Sequence, residues 1–176
     1  MGSTPPGSIR LVPATADDVD AVFAVYQACT AALLARGIRQ WDERYPDRAA
    51  AATAAARGEL YLLVDDAGAV GSVILNDLAA PEWGAIEWKC PAPALVIHTL
   101  VIEPARQGGG LGRAAMAACE AMARQRAFQT MRLDAYPGNP AALALYDRLG
   151  YQRRGEAFFA FKPAGHERYT VYEKSL

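Results

Sequence analysis

The sequence has little cysteine, no dominant charge and no long uninterrupted apolar run. Its 176 residues include 3 cysteines, far apart and without CxxC spacing, so neither a disulfide framework nor a zinc site is expected. The formal net charge of -1 excludes a positive field that would attract nucleic acid or an anionic membrane. No apolar run approaches the roughly 18 residues of a membrane span, and no signal segment is visible. These absences predict a soluble cytoplasmic protein without metal, nucleic acid or membrane partners.

The composition is that of a folded globular protein. Hydrophobic residues make up 52% of the chain and charged residues 21%, which excludes disordered and fibrous classes. A chain of this length can bury roughly 70% of its unfolded surface around one core. We therefore predict a single domain over residues 8–176, preceded by a flexible end over residues 1–7 that is rich in proline and glycine.

Hydrophobic periodicity and turn residues divide the chain into helices and strands. Helices are predicted over about 15–36, 48–57, 110–126 and 140–149, and strands over about 9–12, 60–65, 70–75, 95–102, 131–135, 151–161 and 168–174. Residues 79–94, with three prolines and two tryptophans, are predicted to form a long surface loop. Early strands pair as hairpins and later ones alternate with helices. We therefore predict an α/β or α+β fold with one mixed sheet and helices on both faces.

A glycine-rich turn follows the apolar strand at residues 95–102. Gln107-Gly108-Gly109-Gly110-Leu111-Gly112-Arg113 leads directly into the next predicted helix. Glycines let backbone N–H groups approach a ligand, and a helix N-terminus carries partial positive charge, so this segment can bind an anion. Arg106 and Arg113 favour that interpretation, because a cation beside a helix N-terminus is stabilised by a bound anion. The alternative is a flexible turn with two solvated arginines.

Two nucleotide-binding interpretations are disfavoured. No Gly-Lys-Ser/Thr of a Walker A loop follows the turn, and Arg113 stands where a dinucleotide fingerprint needs its third glycine. The turn after the first predicted strand, Pro13-Ala14-Thr15, also lacks the glycines of a dinucleotide site.

Two linked motifs resemble those of the GNAT superfamily of N-acyltransferases. Gln107-x-x-Gly110-x-Gly112, entered from the strand ending at residue 102, is similar to the acetyl-CoA signature of that family. Residues 139–151 resemble its next conserved stretch, at the expected separation. The resemblance implies a mostly antiparallel sheet of six or seven strands, splayed at the signature strand. It also implies an N-acetyltransferase that uses acetyl-CoA (coenzyme A) and acts on a primary amine of a small molecule or polypeptide by direct attack on the thioester.

The resemblance assigns residues of both motifs to the cofactor. In that family, backbone groups of the signature strand hold the pantetheine arm, and an N–H group, here near Leu100 and Val101, polarises the thioester carbonyl. The implied cofactor-binding residues are Leu100, Val101, Ile102, Gln107, Gly108, Gly109, Gly110, Leu111, Gly112, Arg113, Asn139 and Tyr146. Asn139 is also a helix cap, since Pro140 follows it at the first helical position.

The implied chemistry needs a base and an acid. An alkyl ammonium has a pKa of about 10.4, so a base must remove its proton at neutral pH. His98 is the first candidate, because imidazole has a pKa of about 6.5 and an arylalkylamine branch of the family resembles this sequence in placing a histidine there. Glu87, Glu103, a carboxylate acting through water, and a purely structural role for His98 are alternatives. The resemblance implies that Tyr146 protonates the leaving sulfur; its alternative is an aromatic core position.

The resemblance also indicates where an acceptor would bind. The loop after the first helix and the loop before the signature strand flank the acceptor pocket in that family. The candidate contacts for the amine are Trp41, Glu43, Tyr45 and Glu87. Trp83 and Trp88 are candidates for the opposite side, and packing within the loops is the alternative for all four aromatic residues.

Two functions from different classes are consistent with these motifs. An active N-acetyltransferase needs the glycine turn together with His98 and Tyr146. A non-catalytic acyl-CoA sensor on the same fold needs the turn alone, so the presence of both side chains favours the enzyme. If the protein assembles, a homodimer is expected, because dimers are the commonest assemblies.

Overall fold

A seven-stranded sheet organises residues 8–176, which are the part of the chain that this computed structural model describes. The strands are β1 (Arg10–Pro13), β2 (Leu60–Asp65), β3 (Gly68–Asn76), β4 (Leu95–Ile102), β5 (Thr130–Ala135), β6 (Gln152–Phe158) and β7 (Arg168–Ser175). The α-helices are α1 (Val19–Ala35), α2 (Arg48–Ala56), α3 (Leu111–Gln125) and α4 (Pro140–Arg148). The flexible end predicted for residues 1–7 lies outside the described residues.

The sheet is mixed and mostly antiparallel. Its strand order is β1-β2-β3-β4-β5-β7-β6, and among these neighbours β4 and β5 run parallel while the others run antiparallel. Strands β2 and β3 form the predicted hairpin, and the crossover from β4 to β5 contains α3, as a parallel pair requires. The predicted mixed sheet of six or seven strands is therefore confirmed.

Helices cover both faces of the sheet. Leu60 and Tyr61 are consecutive in β2 yet enter different apolar clusters, because successive strand residues point to opposite faces. Helices α1 and α2 pack on the face of Leu60, with Tyr26 at the centre of their cluster. Helices α3 and α4 pack on the face of Tyr61, where Met116 is fully buried. Full burial of a large apolar side chain such as Met116 stabilises the fold by about 1.5–3 kcal/mol. The predicted coverage of both faces is confirmed.

Capping side chains determine where the helices begin. The carboxylate of Asp18 accepts hydrogen bonds from the Thr15 backbone N–H at 2.8 Å and from its hydroxyl at 2.9 Å, and a short 3₁₀ turn there precedes α1. Asp47 accepts from the Ala50 N–H at 2.7 Å at the start of α2. These are the starts that the sequence pattern predicts, because a cap is a local signal.

The segment Ala16–Ala35 is long and apolar enough, by length and composition alone, to cross a membrane. No uninterrupted apolar run marks it in the sequence, since it begins with aspartates and contains polar residues. In the fold, Val22, Tyr26 and Leu33 on one side of this helix are buried against the sheet. Its apolar face therefore has a partner within the protein.

Strands β4 and β5 separate soon after they meet. Only Leu95 and Val96 of β4 pair with β5, so within residues 8–176 the remaining β4 edge on that side has no partner strand. A bulge lies in the separated part: Thr99 has a φ of 45°, and the register against β3 shifts. Gly71 of β3 allows it, because a Cβ there would lie 2.0 Å from the carbonyl oxygen of Val101. The expected splay at the signature strand is confirmed.

Candidate active site

The larger of two cavities beside β4, with a volume of about 810 Å³, opens where β4 and β5 separate. Its walls come from the ends of both strands, the glycine turn, α3, α4 and the loop between α1 and α2. Three hydrogen bonds from other parts of the fold hold that loop in place, one of them from Asn139 Nδ2 to Gln40 Oε1 at 2.9 Å. The hydroxyls of Tyr45 and Thr99 lie 2.8 Å apart, and the Tyr169 hydroxyl donates to the Gln40 carbonyl at 2.7 Å. The volume is within the range of about 300–1,000 Å³ that is usual for small-molecule sites.

The glycine turn has a backbone conformation that few other residues adopt. Gly108, Gly109 and Gly110 have φ values of 97°, 56° and 83°. A Cβ at any of them would meet no atom within 4 Å, so the backbone angle and not lack of space requires glycine. Gly110 is the N-cap of α3, and the first helical turn after it has N–H groups without intrahelical partners. This arrangement suits an anion.

Three arginines add positive charge around the larger cavity. Arg36, Arg113 and Arg148 contribute to its lining from the end of α1, the start of α3 and the end of α4. Arg106, which was expected beside the turn, instead forms an ion pair with Asp65 at 2.5 Å. That partner lies in the β2–β3 hairpin, so the pairing was not visible in the local sequence.

Helix α4 presents Tyr146 and Asn139 to the larger cavity. Tyr146 is buried and packs against Tyr151 and Tyr172, with ring centroids 6.0 and 5.8 Å away. Burial, reinforced by the nearby Asp134 carboxylate, raises the pKa of Tyr146 above its usual value, so the phenol stays protonated at neutral pH. Asn139 caps α4 as predicted, accepting from the Ala142 N–H at 3.3 Å.

The larger cavity brings together most residues that the resemblance assigned to the cofactor. Ten of them line it: Leu100, Val101, Ile102, Gln107, Gly108, Gly110, Gly112, Arg113, Asn139 and Tyr146. Gly109 and Leu111 do not line it, and Leu111 packs towards the core instead. Gly112 also has a packing role, since a Cβ there would lie 3.3 Å from Leu145 Cδ2 on α4.

The carbonyl of Ile102 is already engaged within the protein. It accepts hydrogen bonds from Gln107 Nε2 at 2.9 Å and from the Cys29 thiol at 3.3 Å. Cys29 is buried, and burial raises the pKa of its thiol to about 11. Gln107 thus fastens the end of β4 to the glycine turn, and Cys29 fastens it to α1.

His98 lies on the wall of a second cavity, the smaller cavity, of about 280 Å³. Its Nε2 is 3.0 Å from Asn76 Oδ1. The Asn76 amide orientation is determined by its other partners, because Nδ2 donates to Glu59 at 3.0 Å and Oδ1 accepts from the Leu78 N–H at 3.1 Å. With the amide in this orientation, Oδ1 accepts a hydrogen bond from His98 Nε2, which then carries a proton. Burial lowers the pKa of His98, although Leu78 and Glu59 favour its charged form.

Two charged residues that sequence reasoning missed, Asp134 and Lys162, line both cavities. Asp134 ends β5 and Lys162 follows β6, so no local motif links them. Burial raises the pKa of Asp134, and the Lys162 charge opposes that rise. Burial lowers the pKa of Lys162, and the Asp134 charge opposes that fall. Tyr45 lines both cavities with them, so these three side chains form a shared wall.

The predicted acceptor contacts divide into two groups. Trp41 and Tyr45 line the larger cavity, whereas Glu43 and Glu87 are exposed and line neither cavity. Trp83 and Trp88 line neither cavity either. Trp83, only 2% exposed, belongs to a third apolar cluster, in which Trp88 packs against it. The loop predicted over residues 79–94 thus contains a short 3₁₀ turn that anchors a core tryptophan.

Comparison with protein families and sequences identifies similar proteins. The family model described as "Acetyltransferase (GNAT) family" matches residues 22–151. The chain is 34% identical over 79 residues to N-alpha-acetyltransferase RimI of Mycobacterium tuberculosis, covering 45% of this chain and 48% of that protein. It is 43% identical over 58 residues to mycothiol acetyltransferase of Salinispora tropica, covering 32% and 19%. The matched segments therefore span less than half of either relative.

Solved structures share the fold. A GNAT-family acetyltransferase from Streptococcus agalactiae superposes with a TM-score of 0.81 at 18% identity, covering 96% of this chain and 95% of that one. The acetyltransferase yncA of Salmonella typhimurium, solved with acetyl-CoA, has a TM-score of 0.67 at 18% identity, with 96% and 94% covered. At these identities the likeness concerns the architecture alone.

Proposed function

Because this chain belongs to the GNAT family of acetyltransferases, we propose that it transfers an acetyl group from acetyl-CoA to a primary amine of a small molecule or polypeptide. The observation that carries the proposal is the separation of β4 from β5 after two paired residues. A cavity opens there between an unpaired strand edge and the N-terminus of α3. The homodimer and the cytoplasmic location stay predictions.

The residues of the larger cavity fit acetyl-CoA. The glycine turn and the first turn of α3 would hold the diphosphate with backbone N–H groups, and Arg36, Arg113 and Arg148 supply the charges that phosphates need. The free edge of β4 has the N–H and C=O groups that a pantetheine arm would satisfy. Bound acetyl-CoA supplies the thioester carbon to which the amine nitrogen becomes bonded as the C–S bond breaks.

The chain's own residues supply the proton transfers. We assign to the other ring nitrogen of His98, Nδ1, the role of taking the proton of the acceptor ammonium. Backbone N–H groups near Leu100 and Val101 stabilise the negative charge that develops on the carbonyl oxygen. Tyr146 holds a phenolic proton at the wall of the larger cavity and donates it to the departing sulfur, and the second proton that the nitrogen releases as the amide forms restores the phenol.

Binding of coenzyme A is expected to raise the melting temperature. At a ligand concentration of about 100 times Kd the stabilisation is about 2.7 kcal/mol, equivalent to roughly 5–10 °C for a domain of this size. Differential scanning fluorimetry with acetyl-CoA and coenzyme A measures it, with NAD and ATP as controls that should have no effect. Equal melting temperatures with and without coenzyme A would contradict the proposal.

Turnover is tested by thiol release across polyamines, aminoglycosides, arylalkylamines, amino acids and peptides. The proposal expects at least one class of amine to release coenzyme A above the rate of hydrolysis. A protein that binds coenzyme A but acetylates none of these amines would instead fit a sensor.

Replacement of His98 by glutamine is expected to lower kcat/KM by about 10–100-fold, near the lower end for a general base because water can carry part of the transfer. Wild-type kcat/KM should decrease on the acid side as His98 becomes protonated, at a pKa below its usual value because of burial. The variant should lose this acid limb. His166→Gln, at the other histidine, is the matched control and should keep it. An unchanged profile in His98→Gln would remove His98 as the base.

A further inference from the structure

We infer that the smaller cavity receives the acceptor and that Lys162 binds a carboxylate of that acceptor, so the substrate is a small amino-carboxylate such as an amino acid. The inference rests on the proposed function and deepens it by naming the acceptor class. It selects one of the two classes, small molecule and polypeptide, that the family leaves open.

Lys162 is a buried cation enclosed by aromatic rings. Its side chain is only 6% exposed, and Nζ lies 3.7 Å from the ring centroid of Tyr45, 4.7 Å from that of Tyr169 and 5.4 Å from that of Phe161. The rings attract the ammonium through their negative faces and hold it in one place. The charge is therefore positioned at a cavity wall and not spread over a mobile surface chain.

The ammonium of Lys162 has no direct anionic partner within residues 8–176. None of the ion pairs within 4 Å and none of the side-chain hydrogen bonds in that range involves Lys162. Asp134 attracts this ammonium from beyond ion-pair distance. Burial lowers the pKa of Lys162 more than that attraction raises it. A buried charge is costly unless it is paired and hydrogen-bonded. A ligand carboxylate in the cavity would supply the missing pair.

Groups suited to an amine line the same cavity. His98 contributes from β4, Asp134 from β5 and Glu82 from the loop before β4. The carboxylates attract an ammonium, and His98 can take its proton. Because the cavity holds only about 280 Å³, its amine and anion sites are close enough to be occupied by one small molecule.

The smaller cavity adjoins the larger cavity at the shared wall. Tyr45, Asp134 and Lys162 line both spaces, so an amine seated beside them lies next to the region where β4 and β5 separate. A polypeptide terminus could enter this space end-on, but it has no carboxylate next to its amine to pair with Lys162. The geometry thus favours a free amino-carboxylate over a protein terminus.

Matched acceptor pairs test the inference. L-leucine and 3-methylbutylamine, L-phenylalanine and 2-phenylethylamine, and L-methionine and 3-(methylsulfanyl)propylamine each differ by one carboxylate. We expect wild-type kcat/KM, from thiol release, to favour the amino acid of each pair by about 10–100-fold, as a charge-assisted contact would. Lys162→Met should reduce this preference by a similar factor, and Lys162→Arg should retain part of it. Comparing the preference between proteins cancels intrinsic differences in amine reactivity.

Controls separate charge recognition from folding. Lys89→Met removes an exposed lysine and should keep the wild-type preference. Calorimetric titration of L-leucine into the coenzyme A complexes of wild type and Lys162→Met gives a second readout that needs no turnover, and binding should weaken about tenfold or more in the variant. Equal loss on both members of every pair would mean that Lys162 serves the structure alone.

The outcomes distinguish this inference from the proposed function. A wild-type protein that is stabilised by acetyl-CoA and acetylates amines, but neither prefers nor binds the amino acids, overturns the acceptor class alone. A protein that acetyl-CoA does not stabilise overturns both. A preference that survives unchanged in Lys162→Met assigns carboxylate recognition elsewhere and rejects the role of Lys162.

Discussion

Replacement of Tyr146 by phenylalanine is expected to lower kcat by about 10²–10⁴-fold, the usual contribution of a positioned general acid. The change removes the phenolic proton and keeps the ring, so the contacts with Tyr151 and Tyr172 should remain. Affinity for coenzyme A, measured by calorimetric titration, should therefore change little. A loss confined to kcat identifies an interaction made during the reaction and not in the bound state.

Tyr151→Phe is the matched control for that experiment. Tyr151 is also buried and its ring packs against that of Tyr146, but it lines neither cavity, and its hydroxyl donates to the sulfur of Met131 at 3.6 Å. Its kcat should stay within a few-fold of wild type. Full turnover in Tyr146→Phe would reject the acid role, and a parallel loss of coenzyme A affinity would assign Tyr146 to binding.

Replacement of Glu173 by glutamine is expected to destabilise the fold by about 3–5 kcal/mol, as removal of one partner from a buried charge network does. Glu173 is fully buried in β7 and forms an ion pair with Arg154 at 2.5 Å and a longer one with Arg132 at 3.8 Å. It also accepts backbone hydrogen bonds from Lys89 at 2.8 Å and Cys90 at 3.2 Å. The neutral amide would leave the buried Arg132 and the partly buried Arg154 uncompensated and loosen the loop before β4. Urea unfolding at pH 7 measures the change.

The destabilisation should depend on pH in a definite direction. Burial alone would raise the pKa of Glu173, but hydrogen bonds from Lys89, Arg154 and Cys90 outweigh it and lower the pKa. The stabilisation is therefore complete above the pKa of the unfolded chain and is lost as pH falls through the folded value. The difference between wild type and variant should shrink on strong acidification.

Glu156→Gln is the control for Glu173→Gln. Glu156 forms an ion pair with Arg168 at 3.7 Å between side chains that are 59% and 72% exposed, so its loss should change stability by less than about 1 kcal/mol. Equal effects of the two substitutions would show that the buried network contributes nothing special.

The elements of this fold were predictable because their signals are local. Asp47 and Asn139 cap the helices that follow them, and the glycine turn begins α3 where predicted. Each of these features depends on residues within one or two turns of the chain. The same holds for the likeness to the family, which rests on two short motifs at a characteristic separation.

Parts of the site were not predictable, because their partners are distant in sequence. Asn76, at the end of β3, contacts His98 and is itself hydrogen-bonded to Glu59, just before β2, while Asp65 forms an ion pair with Arg106, which was expected at the anion site. No periodicity or motif connects such residues, since side chains meet across strands only after the register of the sheet is set.

Thus the order of elements and the glycine turn follow from the amino-acid sequence, since short-range backbone preferences specify them, and the candidate acid Tyr146 follows from the resemblance to the family. The shared wall of Asp134, Lys162 and Tyr45, on which the proposed acceptor class rests, arises from folding. Burial changes the pKa values of such charged groups, and burial is a property of the folded molecule. In the folded molecule, residues from β5, the segment after β6 and the α1–α2 loop come together.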